Sequence, residues 1–289
     1  MDTYDELKKG EKGAWLSIAA YIFLSLLKLT AGYIGHSKAL QADGLNNSTD
    51  VIASIAILIG LKIARKPPDE DHHYGHFRAE TIASLIAAFI MISVGFQVLL
   101  EAGRSFFLKE EETPDMLTAW VAIFSAGVMY MVYRYNLHLA KKINSQSIMA
   151  AALDNRSDSL VSIGAFIGII GSQFGLGWLD VLTAFIVGLI IMKTAWDIFK
   201  QATHALTDGF DQDLIEEIRI TIAHVSQVQH VRSVKARMHG NFTLVDVIVT
   251  VDPQLNVVDS HFITEQIEDI LLKKYNIRDA NIHIEPGTN

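Results

Sequence analysis

The sequence predicts an α-helical membrane protein: six transmembrane helices followed by a cytoplasmic α+β domain with the element order α-β-β-α-β. Two observations predict this fold class. Of the 289 residues, 50% are hydrophobic and only 19% are charged, which is too apolar for a soluble chain of this size. The apolar residues also lie in long stretches that end before residue 205, after which charges and short periodic segments return. We therefore expect two domains, residues 1–205 in the membrane and residues 206–289 in the cytoplasm.

Six apolar stretches are each long enough to cross a hydrocarbon core of about 30 Å at about 1.5 Å per residue. They are residues 14–33, 40–64, 80–106, 116–137, 147–171 and 179–199. Acidic residues precede the first stretch, which argues against a cleaved signal peptide.

The lysine and arginine residues of the predicted loops are concentrated on one side of the membrane. That side carries Lys8, Lys9, Lys12, Lys62, Arg65, Lys66, Arg78, Arg134, Lys141 and Lys142, whereas the other carries Lys38, Arg104 and Lys109. Because basic loops remain in the cytosol, we expect a multi-pass protein of the cell membrane with both termini cytoplasmic.

The segment after residue 205 changes between helical and strand periodicity. Helices are predicted at residues 211–224 and 257–275, and strands at residues 228–238, 242–252 and 280–285. This order predicts a small sheet with helices on one face. The segment holds seven Lys or Arg and thirteen Asp or Glu, so most of the chain's net charge of −8 belongs to it. Such a module attracts cations.

Several classes of function are excluded by what the sequence lacks. The chain has no cysteine, so disulfides, thiol catalysis and thiolate metal sites are ruled out. No basic arm or basic helix stands out, so nucleic acid is not an expected partner. No nucleophile elbow, phosphate-binding glycine loop or HExxH helix is present, so we do not expect an enzyme.

Two predicted spans carry acidic residues that lipid would reject. Asp50 lies near the middle of the second span, four residues after Asn46, and Asp154 and Asp158 repeat this spacing in the fifth span. Residues four apart share one helical face. A charged side chain at bilayer depth costs about 3 kcal/mol, so such residues usually mark a pathway. Because the two spans run antiparallel, the pairs can converge on one point.

Three converging carboxylates repel one another unless a cation or protons join them. The expected occupants are a divalent metal ion and protons, in exchange. The alternative is structural: the polar residues of the second span only hydrogen-bond neighbouring helices, and Arg156 forms an ion pair with Asp154 and Asp158. The same pair spacing on two antiparallel spans favours the metal site.

Three strings of residues resemble the motifs of a known family, the cation diffusion facilitators. They are residues 42–50 (ADGLNNSTD), 71–80 (DHHYGHFRAE) and 154–158 (DNRSD). The likeness covers nearly the whole chain. It implies a homodimeric antiporter in lipid that exports divalent transition metals in exchange for protons by alternating access. It also implies a transport site at Asn46, Asp50, Asp154 and Asp158. Asp43, seven residues before Asp50 on nearly the same face, is expected to line the exit.

The donor atoms of this site indicate which metal it carries. Zinc-exporting members of the family place histidine with aspartate on the fifth span, whereas all four donors here are oxygen. Oxygen ligands suit harder ions such as Mn²⁺, so the chain resembles the manganese-exporting branch. The alternatives are a Zn²⁺, Fe²⁺ or Co²⁺ exporter of the same family, a passive Mg²⁺ or Ca²⁺ channel and a membrane metal sensor. The metal is expected as substrate, with no cofactor apart from a regulatory ion.

The resemblance implies further positions outside the spans. Asp69, His72 and His76 match a loop site for an additional ion, and the alternative is a solvated loop that binds nothing. Arg78 and Asp208 match an ion pair that joins the membrane domains to the tail at the dimer interface.

The tail matches the family's zinc-binding tails only in part. His261, His283 and Glu285 stand at metal-binding positions, but Arg232 and Ile248 replace expected histidines. A two-metal site is therefore not expected. Either one weaker site uses these three residues with His239, or the tail is empty and serves as a dimerisation module.

Overall fold

The computed structural model describes residues 3–35, 37–108, 115–176 and 178–287. The chain forms two compact units, Met1–Ala202 and Thr203–Asn289. Lys109, one of the basic residues used above to orient the chain, lies outside the described residues.

The first unit is built from long helices. They are α1 (Thr3–Ile34), α2 (Lys38–Ala64), α3 (Arg78–Leu108), α4 (Met116–Ile143), α5 (Gln146–Gln173) and α6 (Trp178–Leu206), the last turn of which falls in the second unit. Each apolar stretch predicted from the sequence lies inside one of these helices. The helical membrane fold is therefore confirmed.

Among the described residues, four of these helices carry a segment that is long and apolar enough to cross a bilayer. The segments are Lys8–Ile34, Asn46–Ala64, Arg78–Arg104 and Met116–Ile143. Helix α5 has no such segment because Asp154, Arg156 and Asp158 interrupt its middle. Part of α6 lies outside the described side chains. A count of six spans thus stays a prediction for α5 and α6.

Short polar residues cap the ends of α2, α4 and α5. Ser37 caps the N-terminus of α2 and Ser145 caps that of α5, and each side-chain oxygen accepts a hydrogen bond from a backbone N–H of the first turn. Asn144 caps the C-terminus of α4, and its φ of 51° is a left-handed conformation that asparagine tolerates. Only residues 144 and 145 separate α4 from α5, so the two helices form a tight antiparallel hairpin and pack extensively.

Small residues let the helices approach closely. A Cβ atom at Gly60 of α2 would lie 2.3 Å from the Cβ of Ala83 on α3, so this contact requires glycine. Ala119, Ala122 and Ala126 are buried along α4. Such positions are typical of membrane helix interfaces, where packing and hydrogen bonds, rather than the hydrophobic effect, hold helices together.

The second unit has the predicted α-β-β-α-β order. Its elements are α7 (Gln212–Ala223), β1 (His230–His239), β2 (Phe242–Val251), α8 (Val257–Tyr275) and β3 (Asp279–Pro286). The strand order is β1-β2-β3, with β1 antiparallel and β3 parallel to β2. Alternate β2 residues share one face of the sheet. Together with α7 and α8 they form a core that includes Ile218, Ile222, Val245, Val247, Val249, Val251, Ile263, Ile267 and Leu271.

Candidate metal centre

Three buried aspartates meet inside the helical unit. Asp50 of α2 and Asp154 and Asp158 of α5 each offer a carboxylate oxygen, and these three oxygens lie within 4.8 Å of one another. The residues are only 3%, 8% and 3% exposed. Oxygen ligands about 2.0–2.6 Å from one divalent cation lie up to about 4–5 Å apart, so the cluster has the size of a single metal site. The structure brings together the three acidic residues chosen from the sequence.

Two amides of α2 contact the Asp50 carboxylate. Asn46 Nδ2 donates to Asp50 Oδ2 at 3.3 Å, and Asn47 Nδ2 donates to the same oxygen at 3.2 Å. The fourth predicted ligand therefore lies next to the cluster. Turning the Asn46 amide over would exchange its nitrogen for its oxygen and present a fourth oxygen donor.

Tyr21 of α1 completes the cluster, and sequence reasoning missed it. Its side chain is fully buried, and its single O–H is shared between Asp154 Oδ2, at 3.0 Å, and Asp158 Oδ2. The same hydroxyl accepts a hydrogen bond of 2.9 Å from Asn155 Nδ2. A tyrosine hydroxyl buried among apolar residues needs a partner. Applied to Tyr21 in the first span, that rule could have indicated that its hydroxyl contacts polar residues of other spans.

A neutral hydrogen-bond network continues from Tyr21 towards the start of α1. Asn136 Nδ2 of α4 donates to Ser17 Oγ at 2.8 Å and to Asn155 Oδ1 at 2.9 Å. Ser17 Oγ donates to Asn155 Oδ1 at 3.2 Å, and all three residues are fully buried. On this side the acidic cluster is therefore backed by amides and a hydroxyl.

A charged group lies on the opposite side of the cluster. Lys28 Nζ of α1 is 2.8 Å from Asp43 Oδ2 of α2, and both side chains are buried. Asp43, expected to line an exit, is thus part of an ion pair.

Arg156 does not pair with the aspartates of the cluster. Within the described ranges, no ion pair joins Arg156 to Asp154 or Asp158, and Arg156 Nε has no hydrogen-bond partner. The structural ion pair considered as the alternative explanation of this motif is absent there. The two aspartates are held by Tyr21 instead.

A second acidic and imidazole cluster lies in the loop between α2 and α3. Ligand atoms of Asp69, His72 and His76 lie within 4.8 Å of one another, as the loop prediction requires. His72 Nδ1 is 3.1 Å from Asp69 Oδ1, and His76 Nε2 is 3.4 Å from Asp69 Oδ2. The backbone N–H of His72 donates to the Asp69 carboxylate at 2.8 Å and lowers the pKa of that carboxyl. Asp69 therefore stays an ionised donor.

Comparison with known proteins identifies the family. Residues 14–207 match the cation efflux transmembrane domain, and residues 210–287 match the cytoplasmic domain of cation efflux proteins. The chain belongs to the cation efflux family. It is 57% identical to the manganese efflux system protein MneS of Bacillus subtilis, over 99% of both chains. It is 49% identical to the uncharacterized transporter YdbO over 99% of both chains, and 33% identical to the manganese efflux system protein MneP over 95% of both, each from the same organism.

The resemblance to cation diffusion facilitators is therefore confirmed. The family consists of transporters, so this cation efflux protein moves divalent metal cations across a membrane.

The histidines predicted in the tail of this cation efflux protein do not form a comparable cluster. His239 ends β1, where its ring contacts Phe242. His283 pairs in register with Ile248, which pairs with Ser233, so His239 lies six residues along the sheet, about 20 Å away. In the described part of the tail, Glu285 forms an ion pair with Arg232, and His261 Nε2 is 3.6 Å from Glu265. The structure thus does not bring His239 to the other predicted ligands.

The predicted pair of Arg78 and Asp208 stays a prediction. Arg78 begins α3 in the first unit and Asp208 belongs to the second.

Proposed function

We propose that this cation efflux protein exports Mn²⁺ from the cytoplasm in exchange for protons. The observation that carries the proposal is the buried cluster of Asp50, Asp154 and Asp158, which offers only oxygen donors. Oxygen ligands favour Mn²⁺ over ions that prefer imidazole or thiolate. The two relatives named as manganese efflux proteins support the same cargo.

The exchange follows from the charge of the site. Three carboxylates this close cannot all carry their charge away from water without a neutralising partner. The cluster therefore holds either protons or a divalent ion. In the proposed cycle, cytosolic Mn²⁺ displaces protons, the helices reorient, and external protons displace the metal.

We further propose a homodimer in the cell membrane with both termini in the cytosol. The bias of Lys and Arg to one set of loops supports this orientation. The match of residues 210–287 to the cytoplasmic domain of cation efflux proteins supports a dimer formed through the second unit. In this proposal the second unit works without a bound metal, and the ion pair between Arg232 and Glu285, one of the predicted ligands, supports this.

The central test is transport by purified protein in vesicles with an imposed pH gradient. We expect Mn²⁺ uptake that requires an acidic interior and is lost in Asp158→Asn. Asp197→Asn, at an exposed position on α6, is the matched control and should transport normally. Uptake that persists after the pH gradient is collapsed would indicate a channel. Absence of any uptake by the unchanged protein would favour a sensor.

The cargo is tested by changing one donor. Replacing Asn46 with histidine adds an imidazole to the cluster, and imidazole suits Zn²⁺. We expect Asn46→His to shift the ratio of Zn²⁺ to Mn²⁺ uptake towards Zn²⁺. If the wild-type protein transports Zn²⁺ but not Mn²⁺, the manganese proposal is contradicted, whereas the family assignment still holds.

We also propose that the loop cluster binds a regulatory Zn²⁺ or Mn²⁺. The convergence of Asp69, His72 and His76 supports this role. Calorimetry with Zn²⁺ should detect a site that His76→Ala removes and His73→Ala keeps, since His73 stands outside the cluster. Identical heats for both variants and the unchanged protein would instead fit a solvated loop.

A further inference from the structure

A buried ammonium group links three helices beside the acidic cluster. Lys28 of α1 is fully buried, and its Nζ lies 2.8 Å from Asp43 Oδ2. The same Nζ donates to Asn47 Oδ1 of α2 at 2.6 Å and to Ser162 Oγ of α5 at 3.0 Å. An ammonium has three N–H donors, so every donor has a partner.

The position of this group along the bundle follows from the helix geometry. Lys28 comes seven residues after Tyr21 on α1, which is about 10 Å along the helix. Ser162 comes one turn after Asp158 on α5, and Asp43 comes two turns before Asp50 on α2. All three displacements point the same way, towards the end where α1 leads into α2. Lys28 therefore stands between the acidic cluster and that end of the bundle.

One residue connects Lys28 to the cluster itself. Asn47 accepts from Lys28 through its Oδ1, and its Nδ2 donates to Asp50 Oδ2 at 3.2 Å. Asn47 is fully buried, so solvent does not screen this hydrogen-bonded connection. A metal ion bound to Asp50 competes with Asn47 for the same carboxylate, and its charge repels the ammonium across a medium of low dielectric constant.

One of the two carboxylate oxygens of Asp43 has no hydrogen-bond partner among the described residues. Its Oδ2 binds Lys28 and accepts a hydrogen bond of 3.1 Å from Ser162 Oγ. Its Oδ1 has no hydrogen-bond partner in the part of the chain that the structure describes, although the residue is only 4% exposed. Buried carboxylate oxygens are rarely left unpaired because the loss of hydration is costly. Asp43 Oδ1 is therefore able to accept a further ligand.

We propose that Lys28 is a gate cation for the metal pathway. Held by Asp43, its ammonium closes the side of the acidic cluster that faces the α1–α2 connection. When the ammonium leaves Asp43, the transported ion passes and Asp43 binds it on the way. This inference rests on the proposed transport of a metal through the cluster, but the closing of the gate can be measured without transport.

The chain contains no cysteine, so a single introduced cysteine can report whether water reaches the region beside Lys28. A single Ser162→Cys variant places a thiol beside Lys28, and a charged, membrane-impermeant thiol reagent reports whether water reaches it in vesicles. With Lys28 present we expect slow labelling, and Lys28→Met should accelerate it about tenfold or more. Lys193→Met is the control, because it makes the same change at an exposed lysine of α6. It should leave the labelling slow.

Two double variants separate a gate from a loosened structure. Lys28→Met with Asp43→Asn leaves no unpaired buried charge and should label as fast as Lys28→Met alone. Lys28→Asp with Asp43→Lys restores the ion pair with its charges exchanged and should return the labelling to the slow rate. Rapid labelling in the exchanged pair, or slow labelling both in Lys28→Met and in Lys28→Met with Asp43→Asn, overturns the gate. A normal labelling pattern in a protein that fails to move Mn²⁺ would count against the proposed cargo alone.

Discussion

A single hydroxyl group spans the two aspartates that α5 brings to the acidic cluster. The single O–H of Tyr21 is shared between the carboxylates of Asp154 and Asp158, and Asn155 orients the hydroxyl by donating to it. Donors that orient ligands without binding the metal are ordinary parts of metal sites. Tyr21 therefore sets the positions from which the two carboxylates reach an ion.

Replacing Tyr21 with phenylalanine removes this hydroxyl and keeps the ring. Because oriented ligands bind more tightly, we expect Tyr21→Phe to weaken Mn²⁺ binding about 10- to 100-fold, measured by calorimetry on the purified protein. Tyr33→Phe removes a hydroxyl from the exposed side of the same helix and serves as the control. Equal affinities in the two variants would mean that Tyr21 does not orient the carboxylates.

At the scale of elements, α3 fixes the start of α5. Glu80, in the first turn of α3, is fully buried and accepts hydrogen bonds from the hydroxyl of Ser145 and from Ser147. These serines form the N-terminal end of α5, where backbone N–H groups lack helical partners. The carboxylate thus holds the helix that carries Asp154 and Asp158.

Removing the Glu80 carboxylate should loosen this junction. We expect Glu80→Ala to lower the free energy of unfolding by about 1–3 kcal/mol, because buried donors of α5 lose their acceptor. Thermal unfolding in detergent measures the effect as a lower melting temperature. Glu101→Ala, at an exposed position of the same helix, should change it little. A similar loss in both variants would contradict the role assigned to Glu80.

Two glycines test how closely the helices pack. A Cβ at Gly60 would lie 2.3 Å from Ala83, whereas a Cβ at Gly127 of α4 meets nothing within 4 Å. We expect Gly60→Ala to lower the melting temperature by separating α2 from α3. Gly127→Ala should leave it unchanged or raise it, since alanine favours a helix by up to about 1 kcal/mol over glycine. The reverse order of melting temperatures would refute the close α2–α3 packing.

At the scale of the whole molecule, the second unit has a core of its own. Ile218 and Ile222 of α7 and Ile263 and Ile267 of α8 pack against the valines of β2. A separate core allows a domain to fold alone. We expect residues 203–289, expressed alone, to be soluble and to unfold in one cooperative transition by circular dichroism. A fragment without a cooperative transition would show that the core needs the helical unit.

The sequence predicted the helices of the first unit better than their ends. Helix α1 begins at Thr3, whereas the predicted span begins at residue 14. Apolar composition indicates which residues can lie in lipid. It does not show that a helix continues beyond the lipid into water, because those residues are polar. The β1 and β2 strands were located within two residues because their turn and their alternation are local signals.

The charged residues of the acidic cluster were predicted from the sequence, whereas several neutral polar residues around it were missed. Asp50, Asp154 and Asp158 stood out because ionised groups are costly in lipid. Tyr21, Asn136 and the neutral partners of Lys28 did not, because neutral polar residues in spans commonly join helices and the sequence does not give their distant partners. The distance from His239 to His283 depends on strand register, which residue spacing within one strand cannot supply.

The charged middle of α5 has a consequence for how the protein is made. Asp154, Arg156 and Asp158 each raise the free energy of insertion by about 2.5–3.5 kcal/mol at the centre of a helix. Transfer of α5 alone from the translocon into lipid is therefore unfavourable. Helix α4 is apolar and joined to α5 by residues 144 and 145 only. For α5 to cross the bilayer, it has to enter as the second arm of an α4–α5 hairpin. The charges that form the site therefore couple the insertion of α5 to that of α4, which is synthesised first and packs against α5.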